Sequence, residues 1–445
     1  MMEVLERSEE EKQNNTKEKM FTEYDEEEKQ NYDEEEKQNN TKAKMIREYD
    51  EEENQTKNSL CKGKKILLGC KEENKNKMSS HNKNSKEKKE NKTPKNETIN
   101  DLFENLEKIQ LFLAENCKDF YEKFEITELI KSGSAGAVYR GQVRHKINKQ
   151  NSKQIAFKFL FNNHKEMKEK KTKDKSKKNR KERNQHLEIS IHGMLKSKHI
   201  PEIYGYYKIL DNSCIAMEFT KYGDIENFKR TVLKRSSLSE TLILYIAGGI
   251  LEALKYIHIK KKIIHMDIKQ QNVLIDDFLI IKLTDFSVSI NYKNKDYIDL
   301  PMVGTCYYMS PEVLNRRRIS SKEASKIDIY SLGVLLYMFA YADYPYNLSD
   351  VNCKDYVKIA RNIDEKKLEF PRDTGHSKIF ENFLKNCLNK DIKKRYDIYQ
   401  AMNDPWFKGY QIILDEKEKL YNAGKFLIDL MVDNLISFNE YIKGL

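Results

Sequence analysis

The sequence predicts an α+β chain of two lobes, a small mainly β N-lobe with one principal helix and a larger mainly α C-lobe. Three observations carry that prediction. Between Phe124 and Phe219, short runs rich in β-branched and aromatic residues alternate with glycine-containing or polar turns, the pattern of strands joined by tight connections. Beyond Gly223 apolar residues recur every three or four positions over Leu238 to Ile259, Ile327 to Tyr341 and Ile379 to Leu388, the period of helices burying one face. Residues 1–97 carry too few apolar side chains to build a core.

In chain order, Glu-Glu-Glu-Lys-Gln-Asn recurs at Glu9, Glu26 and Glu34 and decays at Glu51. Stacking such units would bury almost nothing and could not offset chain entropy, so they read as disordered rather than as a solenoid. The Lys- and Asn-rich stretch from Lys62 to Asn96 reads the same way. Residues 98–123 form an amphipathic helical lead-in, with Ile99, Leu102, Phe103, Leu106, Ile109 and Leu113 at helical spacing. Strands are expected at Phe124 to Ile130, around Val138, at Gln154 to Leu160, and over Ile200 to Leu210 and Ser213 to Phe219, with the principal helix at His186 to Leu195. The main folded domain is placed at residues 124–407, with a basic insertion at about 162–184. Residues 408–445 form a helical tail whose Leu420, Phe426, Leu427, Leu430, Met431 and Leu435 are expected to pack on the large lobe.

Charged residues make up 34% of the chain and the net charge is +10, but the charge is unevenly spread, so its location matters more than the total. The seven cysteines are scattered, odd in number and without C-x-x-C spacing, which argues against a disulfide framework or zinc site and for a reducing, intracellular compartment. The acidic start does not resemble a secretory signal, Met2 excludes N-myristoylation, and no apolar run reaches the length of a membrane span. The expected location is cytoplasmic, with the nucleus reachable if the basic insertion serves as an import signal. That insertion lacks interleaved aromatics, which disfavours nucleic acid as a partner and leaves peripheral contact with an anionic surface open.

Chemistry concentrates in Ile264-His-Met-Asp-Ile-Lys-Gln-Gln-Asn272 and Thr284-Asp-Phe-Ser287. Phosphoryl transfer needs an acceptor for the attacking hydroxyl's proton, hard oxygen ligands for Mg²⁺ and cations over the phosphates. Asp267, Asn272, Asp285 and Lys269 supply that set.

Their order and spacing resemble a eukaryotic protein kinase over about 280 residues. Ile155-Ala-Phe-Lys158, Glu188, His265-Met-Asp267, Asp285-Phe-Ser287, Gly304-Thr305, Ser310-Pro-Glu312, Asp328-Ile-Tyr-Ser-Leu-Gly333 and Arg395 carry the resemblance. It implies ATP and Mg²⁺ as cofactors, Asp267 as base, Lys269 at the γ-phosphate, and Asn272 and Asp285 as metal ligands. Lys158, fixed by Glu188, would contact the α and β phosphates under the loop containing Lys131, Ser132, Gly133 and Gly136. Adenine would lie between Val138 and Ala156 above and Leu274 below, with Met217 behind and the backbone of Glu218 and Thr220 at its edge. Asp224 would reach the ribose. Arg395 is expected to pair with Glu312, and Thr305 to orient Asp267 and Lys269. A lysine two positions after Asp267 points to serine or threonine on a protein substrate. A pseudokinase scaffold without efficient transfer is the alternative.

Three departures from the family pattern matter, and one further position bears on substrate choice. Lys131 replaces the first glycine of the phosphate loop, which is expected to weaken ATP binding, and Ala135 removes the usual aromatic cover at its tip. Met266 replaces the arginine that reads a phosphorylated activation segment, so constitutive activity or another route of control is expected. Ser287 replaces a glycine and stiffens the metal-binding loop. Gln271 stands where kinases selecting basic substrates often carry glutamate, so no basic motif is indicated.

Overall fold

A computed structural model of the protein describes residues 106–133, 136–144, 153–160, 187–209, 212–234, 236–372, 374–421 and 444. The region expected to be disordered, the first turns of the lead-in, Ala135, the basic insertion and the tail from Phe426 to Leu435 lie outside the described residues.

Where the spacing predicts one lead-in helix, two are present among the described residues, α1 (Leu106–Asn116) and α2 (Lys118–Lys123). They break at Cys117, whose φ of −143° and ψ of 57° are not helical. The break lets both helices follow the sheet beside them. Ile109, Leu113 and Phe120 are buried against Phe124, Phe157 and Phe159, and the Phe120 ring lies 5.1 Å from Phe124 and 5.3 Å from both Phe157 and Tyr207, distances at which edge contacts between rings are favourable.

That sheet comprises β1 (Phe124–Gly133), β2 (Gly136–Val143), β3 (Gln154–Leu160), β4 (Ile203–Ile209) and β5 (Asn212–Glu218). Its order is β1-β2-β3-β5-β4 and every pairing is antiparallel. Strand alternation divides β3 between two cores. Ile155, Phe157 and Phe159 face the lead-in helices. Ala156 and Leu160 face the other way, where α3 (residues 187–193) packs through Ile189. Lys158 shares that second face, which points it toward Glu188 of α3.

The chain enters the larger lobe at β6 (Gly223–Asp224), then α4 (Ile225–Phe228), α5 (Glu240–Lys255), β7 (Ile263–Ile264), β8 (Val273–Ile275) and β9 (Ile281–Leu283). Next come β10 (Ile290–Asn291), β11 (Tyr297–Asp299), α6 (Pro311–Leu314), β12 (Arg318–Ser320) and α7 (Ser325–Tyr341). The lobe ends with α8 (Tyr356–Glu365), α9 (Lys378–Cys387), α10 (Ile398–Asn403) and α11 (Pro405–Tyr421). α5 and α7 are apolar on almost every side and buried along their length, as befits helices at the centre of a lobe. The helix Glu240–Lys260 is, among the described residues, long and apolar enough to cross a membrane, but it is mostly buried. α11 runs unbroken across residue 407 and buries Tyr410 and Ile413 in the same core.

Candidate active site

Between the lobes, β3 and α3 contribute the first cluster. Lys158 Nζ lies 2.5 Å from Glu188 Oε1 and 3.2 Å from Asp285 Oδ1. Burial alone would lower the lysine pKa, but the two carboxylates outweigh it and hold the ammonium above its ordinary value. Burial likewise opposes ionisation of Asp285, yet Lys158 and a hydrogen bond from Ser287 keep its carboxyl well below the usual range. For Glu188 burial dominates and pushes its pKa up, with Lys158 pulling against it.

A second cluster forms on the loop between β7 and β8. Lys269 Nζ donates to Asp267 Oδ2 at 2.6 Å and to Thr305 Oγ1 at 2.9 Å, while Thr305 donates to Asp267 Oδ1 at 2.7 Å. Asn272 Nδ2 donates to the Asp267 carbonyl at 2.8 Å and to its Oδ2 at 3.1 Å. This leaves the carboxamide oxygen of Asn272 as the group available to a hard cation. Three residues therefore fix one carboxylate, and Asp267 is only 8% exposed.

The loop itself is held from below. Asp328 on α7, fully buried, accepts from the backbone N–H of His265 at 2.7 Å and of Met266 at 2.9 Å, and bonds His258 Nε2 at 2.7 Å. These bonds hold Met266 at a φ of +74°, a left-handed conformation that a non-glycine residue adopts only when its surroundings impose it. Gly304 crosses directly above at φ +102°, and a Cβ there would fall 2.4 Å from the Met266 carbonyl oxygen. Glycine is required at that position on both counts.

A stack of rings joins the lobes behind the site. Phe286 lies 5.1 Å from His192 of α3 and 5.0 Å from His265. His192 is 1% exposed and bonds the Pro201 carbonyl through Nε2 at 2.9 Å. Burial lowers its pKa to about 4, so the ring is neutral at physiological pH.

The nucleotide-binding residues expected from the sequence fall on β1, β2, β3 and β5 of the small lobe and on β6 and β8 of the large one, with Glu188 on α3 and Thr220 just after β5. Ala156 and Met217 are paired across β3 and β5, and Val138 pairs with Lys158 across β2 and β3. Leu274 pairs with Asp224 across β8 and β6. The Glu218 side chain bonds Lys282 at 3.0 Å, and Thr220 stands two residues on, between β5 and β6. Lys131 and Ser132 remain on β1, paired with Val138 and Ala137, and Gly133 pairs with Gly136. A Cβ on Gly136 would fall 2.0 Å from the Phe159 carbonyl oxygen, so β2 can start there only with glycine.

Spacing did not signal two contacts. Lys131 Nζ reaches across the cleft to Asp224 Oδ2 at 3.5 Å, while Asp224 Oδ1 caps α4 through the Asn227 N–H at 2.8 Å. Ser287 does more than stiffen its loop, since its hydroxyl helps to hold the Asp285 carboxyl below its usual range. Lys131 and Asp224 are far apart in sequence, so only the fold could reveal the first, whereas Ser287 stands two positions from Asp285.

The segment from Asp285 to Glu312 has few exposed hydroxyls. Ser289 is buried and donates to the His265 carbonyl, and Tyr292 donates to that of His258. Thr305 is held by Asp267, and Tyr307 donates to the Val351 carbonyl. Tyr297 on β11 stands out at 58% exposed, with the Arg318 guanidinium 5.2 Å from its ring centre. Below this segment Arg395, fully buried, forms a two-pronged bond to Glu312 at 3.1 Å on each arm.

Known proteins carry related sequences. The chain is 30% identical over 291 residues to the serine/threonine-protein kinase dst4 of Dictyostelium discoideum, covering 65% of this chain and 55% of that protein. It is 30% identical over 256 residues to the MAP kinase kinase MKK1/SSP32 of Saccharomyces cerevisiae, covering 54% and 46%. It is 28% identical over 291 residues to the dual specificity mitogen-activated protein kinase kinase jkk-1 of Caenorhabditis elegans, covering 65% and 62%. The chain thus spans about half the length of these relatives. Residues 124–407 match the protein kinase domain, well over half of the sequence, and the chain belongs to the protein kinase family.

Proposed function

We propose that the chain transfers the γ-phosphate of ATP to serine and threonine hydroxyls of proteins. The observation that carries this reading is the joining of Lys158 to both Glu188 and Asp285, beside an Asp267 carboxylate held by Lys269, Thr305 and Asn272. Positioning and electrostatics provide most of the catalysis in phosphoryl transfer, so a site with its charges already placed is the relevant feature.

In this reading Asp267 accepts the proton of the attacking hydroxyl and aligns its oxygen. Lys269 stands beside it to neutralise charge on the transferred group. Asp285 and the Asn272 carboxamide oxygen form a hard-oxygen set that suits Mg²⁺, which when bound would neutralise phosphate charge. Lys158 is oriented by Glu188 toward the α and β phosphates. The adenine slot is bounded by Val138, Ala156, Met217 and Leu274, with backbone from Glu218 and Thr220 at its edge.

Protein rather than small-molecule substrates are favoured by the segment ending at Glu312, which Arg395 anchors as a platform beside Asp267. The scaffold alternative is disfavoured because none of Lys158, Glu188, Asp267, Asn272 or Asp285 is replaced. Cytoplasmic residence, with nuclear entry through the basic insertion, stays part of the proposal. Phosphoamino-acid analysis of a generic protein mixture labelled from γ-labelled Mg·ATP tests the reading. Phosphoserine and phosphothreonine are expected, and phosphotyrosine alone would overturn the assigned specificity.

A further inference from the structure

We propose, resting on the protein kinase reading, that Arg316 and Arg317 form a recognition surface for acidic residues of the protein substrate, near the hydroxyl that accepts phosphate. Asn315-Arg316-Arg317-Arg318 joins α6 to β12, and all four residues are exposed. The backbone of Arg317 is tied on both sides. Its N–H donates to the Glu312 carbonyl at 2.9 Å, and its carbonyl accepts from the Leu300 N–H at 3.2 Å. Arg316 follows the end of α6 at a φ of +50°, a left-handed position that glycine fills more easily. Both side chains therefore project from a fixed backbone, on the segment that Arg395 anchors through Glu312.

The acidic side chains nearby are already engaged or turned elsewhere. Arg318 lies opposite Asp299 in the β11–β12 pairing, 3.8 Å from it, and its guanidinium also lies over the Tyr297 ring. Glu323 belongs to the capping box of the turn after β12. Asp296 stands at the far end of the ribbon, where its carbonyl accepts from the Ser321 N–H. The buried Glu312 carboxylate is matched by Arg395. Among the described residues no side chain pairs with Arg316 or Arg317. Two neighbouring guanidinium groups repel each other, and a carboxylate between them relieves the repulsion while accepting paired hydrogen bonds.

The chain itself limits how far this surface lies from the reacting group. Leu300, bonded to Arg317, stands five residues before Thr305, whose hydroxyl is 2.7 Å from Asp267. Five residues span at most about 18 Å. An extended substrate covers such a span in about as many residues, so carboxylates within roughly five positions of the accepting serine come within reach of the two side chains. Two arginines neutralise too few phosphates to hold a nucleic acid, for which about six to ten contacts are usual. An acidic peptide is the partner this charge fits.

An exposed ion pair contributes at most about fivefold in affinity, which sets the scale of the test. Initial rates of the full chain are measured on serine peptides of one neutral framework. Each carries a pair of aspartates, alanines or lysines, moved stepwise from about five residues before the serine to about five after it. The parent should favour the aspartate peptide over the alanine one by about three- to tenfold in kcat/KM at one offset. That preference should shrink as salt rises from about 0.05 to about 0.5 M. Arg316→Ala with Arg317→Ala should remove it, and Arg316→Glu with Arg317→Glu should turn it toward the lysine peptide, with folding of each variant confirmed by its melt. A purely structural role would lower the rates on all peptides together and leave their ratios unmoved, which would overturn the proposal. A parent that prefers aspartate at no offset would overturn it as well. Loss of duplex-DNA or anionic-vesicle binding in the double alanine variant, with peptide ratios unchanged, would assign the arginines to a general anion surface instead. If the parent transfers phosphate to no peptide, the kinase reading fails. Fluorescence anisotropy of the labelled aspartate peptides then decides the surface independently: weaker binding by the double alanine variant is expected, and equal binding contradicts the proposal.

Discussion

Thr305 and Asp267 are joined by a hydrogen bond of 2.7 Å, and Lys269 closes the triangle with one bond to each. Because the threonine hydroxyl fixes one carboxylate oxygen, Thr305→Ala should leave Asp267 present but loosely aimed. Its kcat should fall roughly 10- to 100-fold, while KM for ATP changes less than about twofold, since Thr305 bonds Asp267 and Lys269 rather than residues of the expected adenine slot. Thr305→Ser should recover most of the loss. A steady-state comparison of the three proteins checks this, and an unchanged kcat in the alanine variant would remove Thr305 from the account.

Lys131 bridges to Asp224 across the cleft with its side chain 58% exposed. An exposed pair of this kind contributes at most about 1 kcal/mol, so Lys131→Gly should not shift the melting temperature measurably. It should free Asp224 for the ribose hydroxyls and tighten ATP about two- to fivefold, within that energy. Calorimetric titration of the parent, Lys131→Gly, Asp224→Ala and the double variant gives the coupling. The gain should vanish when Asp224 is already alanine.

Arg395 and Glu312 are both buried, and the guanidinium also bonds the carbonyls of Asn389 and Lys326. Removing one member strands a charge in the core, so Arg395→Ala should cost about 3–5 kcal/mol. Arg395→Lys should recover little, because an ammonium cannot reproduce the two-pronged geometry. Denaturant melts report both; a lysine variant as stable as the parent would show that charge alone suffices.

His192 and His199 are both buried, and burial lowers each to about 4, against 6.5 for the free side chain. The unfolded chain therefore binds more protons than the native one between those values. Their contribution to stability is fully present above pH 6.5 and is lost as pH falls toward 4. Between pH 6.5 and pH 5 each should remove about 2 kcal/mol. Urea melts across that range should show the decline, and His192→Leu should make it shallower.

Much of this architecture was legible because it depends on local pattern. Strand alternation announced β3 and β5, and the spacing of Asp267, Asn272 and Asp285 announced the site, since the loops carrying them are short and fix their relative positions. The pairing of Arg395 with Glu312 came from the family resemblance, not from any local signal. What could not be read depends on pairings distant in sequence or on backbone geometry. The break at Cys117 follows from the shape of the sheet beneath it, not from a proline or glycine. The contact of Lys131 with Asp224 is set by how separate segments meet and leaves no periodic trace. His192 would pass for an ordinary helix residue until its ring is found against Phe286.

The central claim is that Lys158 and Asp267 together make this chain a phosphotransferase. The most direct test is transfer of labelled γ-phosphate from Mg·ATP to a protein substrate by the purified chain, beside Lys158→Met and Asp267→Ala, with folding of each confirmed by its melt. The account predicts phosphoserine or phosphothreonine from the parent and at least a hundredfold less from either variant. Equal transfer by the Asp267 variant, or none by a folded parent across several substrates, would contradict it.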